Sequence, residues 1–189
     1  MVSRRFPFLP GEGGRLTMIR KMFRERQLLA PEVTEEVLLR NNVGTLCIMG
    51  DDDFPYGVPM NYAYKEGKIY FHSARRGYKT DCLEVDQAIG GPKCSFTVID
   101  YNEVEGEKYS TLYRSVIAMG RVRKLDGEEK IQGFRALVDS MSSMIPEHVR
   151  HAKTDACNGA WVYAIDIEHL TGKEARELME MRKAGTLDR

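Results

Sequence analysis

Between the runs VPMNYAY and IYFHSA the chain has only Lys65-Glu66-Gly67-Lys68, and a link that short commits the two runs to antiparallel pairing. A parallel crossover would need about a dozen residues or more. Alternation in the second run puts Ile69 and Phe71 on one face and Tyr70 and His72 on the other. The rest of the chain extends this pattern. GTLCIMG reads as a buried strand and DDDFPYG as a turn, while KCSFTVIDY and YRSVIAMGRVRKL are rich in β-branched and aromatic residues. AWVYAIDIEHL sets Trp161, Tyr163, Ile165 and Ile167 on one face. Helical periods flank these strands: residues 18–29, Glu32 to Arg40, YKTDCLEVDQ after Gly77, and Gly127 to about Ser142. A last helix, TGKEARELMEMR, is predicted to start at Thr171, with Glu174 completing a capping box. Five or six antiparallel strands with short inserted helices predict an α+β domain built around a β-barrel.

A chain of 189 residues suits one domain, placed at 18–189, and can bury roughly 70% of its unfolded surface without a metal or disulfide. Residues 1–17, rich in Gly, Pro and Arg, are expected to form a flexible N-terminal arm. Charged residues make up 30% of the chain yet balance to a net charge of zero, which argues against a general affinity for nucleic acid. Cys47, Cys82, Cys94 and Cys157 form no CxxC pair and read as thiols of a reducing compartment. With no membrane-length apolar run and no secretory h-region, the expected location is the cytoplasm.

No GxSxG, HExxH, P-loop or GxGxxG pattern is present. The most unusual segment is PYGVPMNYAYKEGKIYFHSARRGYKTD, where the hairpin and the loop leaving it bring together Asn61, Tyr62, His72, Ser73, Arg75, Arg76 and Lys79. Ser73-Ala74 reads as a turn with free backbone N–H groups, and Lys79 falls in the first turn of the next helix, an arrangement suited to a phosphate. A solvated basic loop explains the same residues equally well. His148 and His151 have metal-like spacing, but a solvated helix accounts for them better. Trp161 reads as core ahead of a cofactor cover.

That segment, together with IRKMFRERQLLAPEVTEEVL before it and CSFTVID, YRSVIAMGRVRKL, EEK and IDIEHLTGK after it, resembles the pyridoxamine 5′-phosphate oxidase-like flavoproteins, in particular their nitroimidazole-reductase branch. The resemblance spans Met18 to Lys173. It implies an FMN-binding split β-barrel that dimerises with itself and holds FMN at the interface. Carried onto this chain, it implies that Pro59, Met60, Asn61 and Tyr62 run along the isoalloxazine ring through their backbone. His72, Ser73 and Ala74 would reach the flavin and its ribityl chain, Lys79 would hold the phosphate, and Ser115 would complete the pocket with Arg114 beside it. The implied activity is an FMN-dependent oxidoreductase passing electrons from NADH or NADPH to a small acceptor such as a nitroaromatic, with His72 the expected catalytic donor. A flavin- or haem-binding module of the same fold without turnover is the open alternative. Gln87 to Pro92 departs from the Asn-Pro usual in the family, which predicts a longer turn there. The acidic stretch from Asn102 to Lys108 argues against a phosphorylated substrate near it.

Overall fold

The structure is a computed structural model that describes residues 20–155 and 159–187; the expected arm at 1–17 and Cys157 lie outside them. Seven strands make one antiparallel sheet: β1 (Val43–Met49), β2 (Pro55–Asn61), β3 (Ala63–Lys65), β4 (Lys68–Ser73), β5 (Lys93–Glu105), β6 (Ser110–Lys124) and β7 (Trp161–Glu174). Their order is β2-β1-β5-β6-β7-β4-β3. The two ends of this order, β2 and β3, are joined in the chain by the single residue Tyr62. Seven strands laid flat would span roughly 29 Å at about 4.8 Å each, and one residue cannot bridge that distance. The sheet must therefore roll up, and it closes into a split barrel at Tyr62.

The barrel interior is filled by Leu46, Ile48, Tyr62, Ile69, Phe71, Phe96, Val98, Val116, Tyr163 and Ile165, all buried. Ile69 and Phe71 share one face, as the alternation predicts, and that face is the interior. Helix α1 (Pro31–Arg40), opened by a proline at its first position, closes one end with Val37 and Leu38. The short α2 (Tyr78–Leu83) adds Cys82 and Leu83. Helix α3 (Gly127–Met141) covers the outside of β3, β4 and β7, where Ala63, Val162 and Ala164 pack with Ala136 and Leu137. Helix α4 (Glu147–Asp155) packs on α3, and α5 (Arg176–Ala184) ends the described chain. Helix α3 therefore covers the part of the wall around β4, whereas among the described residues the half made by β2, β1, β5 and β6 meets helices only where α1, α2 and α5 touch it.

Four expectations change. The helix expected at 18–29 shows only a 3₁₀ turn, Glu25–Gln27, and an extended Leu28 that pairs with Lys173; residues 18 and 19 lie outside the described chain. The helix after Gly77 stops at Leu83 and resumes only as a 3₁₀ turn, Gln87–Ile89, because Asp86 takes a left-handed conformation. The sheet has seven strands, since β2 and β3 are two halves of one pattern split at Tyr62. The capping box also fails. β7 runs on through Thr171 and Glu174, α5 begins at Arg176 behind Ala175, and Glu174 is drawn into the core as the partner of Arg114 and Arg182.

Candidate functional site

The turn after β4 is built by its own hydroxyls. Ser73 points inward and lies 3.1 Å from the Thr80 hydroxyl, which donates to the Ala74 carbonyl at 2.7 Å. Gly77, at φ +118, makes the reversal that starts α2. This places Lys79 half-buried beside His72. Burial holds the Lys79 ammonium below its ordinary pKa, and among the described residues it makes no ion pair. The His72 imidazole is also held below its ordinary value, first by the atoms crowding it and then by the Lys79 charge. His72 nevertheless opens to solvent on the outer face, with the Phe134 ring of α3 at 6.0 Å. At six residues α2 is too short to lend much dipole, so the anion-attracting feature here is the Lys79 side chain.

Register then locates the remaining residues. Ala63 pairs with Tyr70, so Asn61 and His72, two residues further along, stand on either side of the split where β2 leaves β4 for β1. Asn61 donates to the Asn42 carbonyl at 3.2 Å. On the uncovered wall, Pro59 pairs with Thr45, Thr45 with Thr97, and Thr97 with Ile117. Asn61 pairs with Val43, and Ile99 with Ser115. Between them lies an open groove of about 610 Å³, lined by Asn41, Asn42, Val43, Gly44, Thr45, Thr97 and Ile99. Pro59, Asn61 and Ser115 thus share one wall. Met60 faces inward against the core, and Tyr62 is fully buried with its hydroxyl donating to the Leu38 carbonyl at 2.9 Å. The Tyr62 N–H is likewise taken, by the Asn42 carbonyl at 3.0 Å.

Arg114 does not stand beside Ser115 on that wall. It is 1% exposed, and its Nε donates to Glu174 at 3.0 Å and its Nη1 to Asp100 at 2.9 Å. Arg40 donates to Asp100 from α1, and Arg182 donates to Glu174 from α5. Burial alone would raise the Asp100 carboxyl, but Arg40, Asn41 and Arg114 hold it below its ordinary value.

Other polar residues resolve differently. His151 hydrogen-bonds Asp139 at 3.0 Å, and no cluster of His, Cys, Asp and Glu among the described residues is placed to hold a metal. His169 is half-buried within β7 opposite Met119. Trp161 packs against the core edge, as expected, but it also gathers cations that sequence reasoning missed: Arg75, Lys124 and Lys130. They come from three separate segments, and no local pattern links them. No described helix is long and apolar enough to cross a membrane.

Comparison with known proteins places this architecture. The family profile described as pyridoxamine 5′-phosphate oxidase matches residues 31–174. A candidate 5-nitroimidazole antibiotic resistance protein from Bacteroides thetaiotaomicron is 19% identical with a TM-score of 0.61, over 78% of this chain and 86% of that one. A conserved hypothetical protein from Mycobacterium tuberculosis is 18% identical with a TM-score of 0.66, over 84% and 93% of the two chains. The FAD and heme binding protein of Mycobacterium smegmatis is 16% identical with a TM-score of 0.62, over 80% and 74%. At these identities the structures share the fold. None of the curated proteins matches.

Proposed function

Because the chain belongs to the pyridoxamine 5′-phosphate oxidase family, we propose that it is a flavin-dependent oxidoreductase of the cytoplasm, with FMN as cofactor. NADH or NADPH supplies the electrons, and a small acceptor such as a nitroaromatic takes them. The observation that carries this reading is Lys79: a half-buried ammonium beside His72, without a carboxylate among the described residues. Leaving a cation partly desolvated and unpaired is costly, and a phosphate is the group that relieves it. The groove's volume falls in the range of small-molecule sites, and neutral side chains line it, as a planar uncharged ring requires.

When bound, the flavin supplies the hydride chemistry. The chain's own residues do the rest. Lys79 binds the phosphate beside the Ser73-Ala74 turn. The backbone of Pro59, Met60, Asn61 and Tyr62 lies along the ring, and Ser115 borders the far side of the groove. His72, held neutral near pH 7 by its lowered pKa, keeps a proton on one ring nitrogen and donates it toward an acceptor oxygen.

The uncovered wall supports a homodimer. Val43, Met49 and Ile99 are 54%, 56% and 54% exposed on it, with Ile117 and Met119 beside them. An apolar face of that kind on a monomer calls for a cover, and a second copy would also give a planar ring its second side.

The deciding experiment is the absorption spectrum of the purified protein, before and after NADH or NADPH and then a nitroimidazole. The expected result is a flavin band bleached by the donor and restored by the acceptor. His72→Ala should keep the band and slow its return by roughly 10- to 1000-fold. A flavin band that neither donor bleaches would make the chain a binding module. A Soret band in its place would make it a haem-handling one, as the heme-binding M. smegmatis relative suggests.

A further inference from the structure

Strand β5 carries one residue more than its partner where it passes the groove. Ile99 pairs with Ser115 and Tyr101 with Arg114, so Asp100 is the extra residue of a β-bulge. Ile99 lines the groove, whereas the Asp100 carboxylate turns away from it to Arg114 and Asn41. Asn41 directly follows α1 and also lines the groove. Its amide nitrogen donates to the Val37 carbonyl at 2.8 Å and to Asp100 Oδ1 at 2.8 Å, which uses both of its hydrogens. Turning the amide over would set its oxygen against a carbonyl and a carboxylate, so its orientation is fixed. Asn41 Oδ1 takes no bond among the described residues, and it is not sealed from solvent. The amide thus gives its nitrogen to the protein and leaves its oxygen for a ligand.

Bonding that nitrogen to a carboxylate polarises the amide and strengthens its oxygen as an acceptor. The other polar side chains of the groove are Asn42 and the threonines Thr45 and Thr97, which pair across β1 and β5. A hydroxyl donates as readily as it accepts, whereas Asn41 offers an acceptor alone. A ligand that suits this lining has an N–H for Asn41 and acceptors beside it for the hydroxyls. The imide edge of a flavin ring has that pattern, a carbonyl, an N–H and a second carbonyl in a row; the dimethylbenzene edge has no polar atom. We propose that Asn41 is a specificity-determining residue whose Oδ1 accepts the imide N–H of the flavin ring, and so sets which edge of the ring enters the groove. The inference rests on the reading that lays a flavin ring along this groove, and adds to it the ring's orientation and the residue that selects it.

The test compares FMN with 3-methyl-FMN, in which a methyl group replaces the imide hydrogen. Dissociation constants for both are measured by flavin fluorescence in the wild type, Asn41→Ala and Asn41→Leu. The wild type should bind 3-methyl-FMN about 10-fold more weakly or worse, because the hydrogen bond is lost and Oδ1 is left unpaired. Asn41→Ala removes the acceptor and makes room for the methyl group, so the two constants should converge. Asn41→Leu fills the same space without an acceptor and should narrow the gap by weakening FMN. Both variants give up the bond to Val37 at the end of α1. Any loss of folded protein lowers the apparent affinity for both ligands alike, so the ratio of the two constants still reads the contact. A wild type that binds FMN and 3-methyl-FMN equally would overturn the inference and leave the flavin reading standing. So would a preference that Asn41→Ala retains, because another group would then accept the N–H. A wild type that binds neither would sink the flavin reading, and this inference with it.

Discussion

The Arg114 network and the Trp161 cluster each collect three cations, and they hold them by opposite means. In the first, Arg40, Arg114 and Arg182 surround Asp100 and Glu174, and the central guanidinium and Glu174 are almost wholly buried. Each carboxylate bonds two of the arginines, so the charge is largely neutralised inside the fold. It ties α1, β5, β6, β7 and α5 together. In the second, Arg75, Lys124 and Lys130 are held by a neutral ring at the barrel rim, with Glu84 beside Lys124. Paired charge that water cannot reach serves the fold, whereas the rim cations stay partly open to water and contribute less to it.

The largest effect that would sharpen this contrast is expected from Arg114→Met. It strands Asp100 and Glu174 without their shared partner, and breaking a buried pair from one side costs about 3–5 kcal/mol. Urea unfolding measures it; a loss under about 1 kcal/mol would mean that water already reaches the network. Next is Lys79→Ala, which should lower flavin affinity by about 10- to 150-fold, or roughly 1.5–3 kcal/mol, while the urea midpoint stays close to wild type. Retained flavin would move the phosphate to Arg75 or Arg76.

A smaller effect is expected on the acid side. The folded-state pKa of Asp100 is held below its ordinary value, so its stabilisation is complete above about pH 4, the unfolded value, and is lost as pH falls through the folded one. Asp100→Asn should flatten that part of the stability curve, and an unchanged acid limb would assign the loss to other carboxylates. The smallest change is expected from Lys130→Gln. As a cation with no ion pair among the described residues, it should shift stability by no more than about 0.5 kcal/mol. A large loss there would erase the distinction between the two clusters.

Much of the wall was legible without coordinates. The four-residue link at Lys65–Lys68 dictated antiparallel pairing, and alternation grouped Ile69 with Phe71 and Tyr163 with Ile165 on faces that prove to be the interior. Both signals are local, a period of two and a tight turn, and burial enforces them because a slip of one residue would turn every side chain to the wrong face. The family motif likewise marked the segment holding Asn61, His72 and Lys79. Thr171 and Glu174 show where local reasoning ends. Their spacing matches a capping box, but β6 offers a strand partner through Lys173 and a buried arginine through Arg114, and those contacts outweigh a cap.

The amino-acid order thus determined which residues share a face of a strand, that the strands run antiparallel, and which loop carries the basic and hydroxyl groups. Only the tertiary structure decided that the sheet closes at Tyr62, that Arg114 is withdrawn from the Ser115 wall by Asp100 and Glu174, and that Lys124 and Lys130 meet Arg75 on Trp161. The physical reason is range. Periodicity and turn chemistry act over a few residues and leave their mark on the chain, whereas Arg114 and Glu174 are 60 residues apart and meet only when β6 and β7 pair.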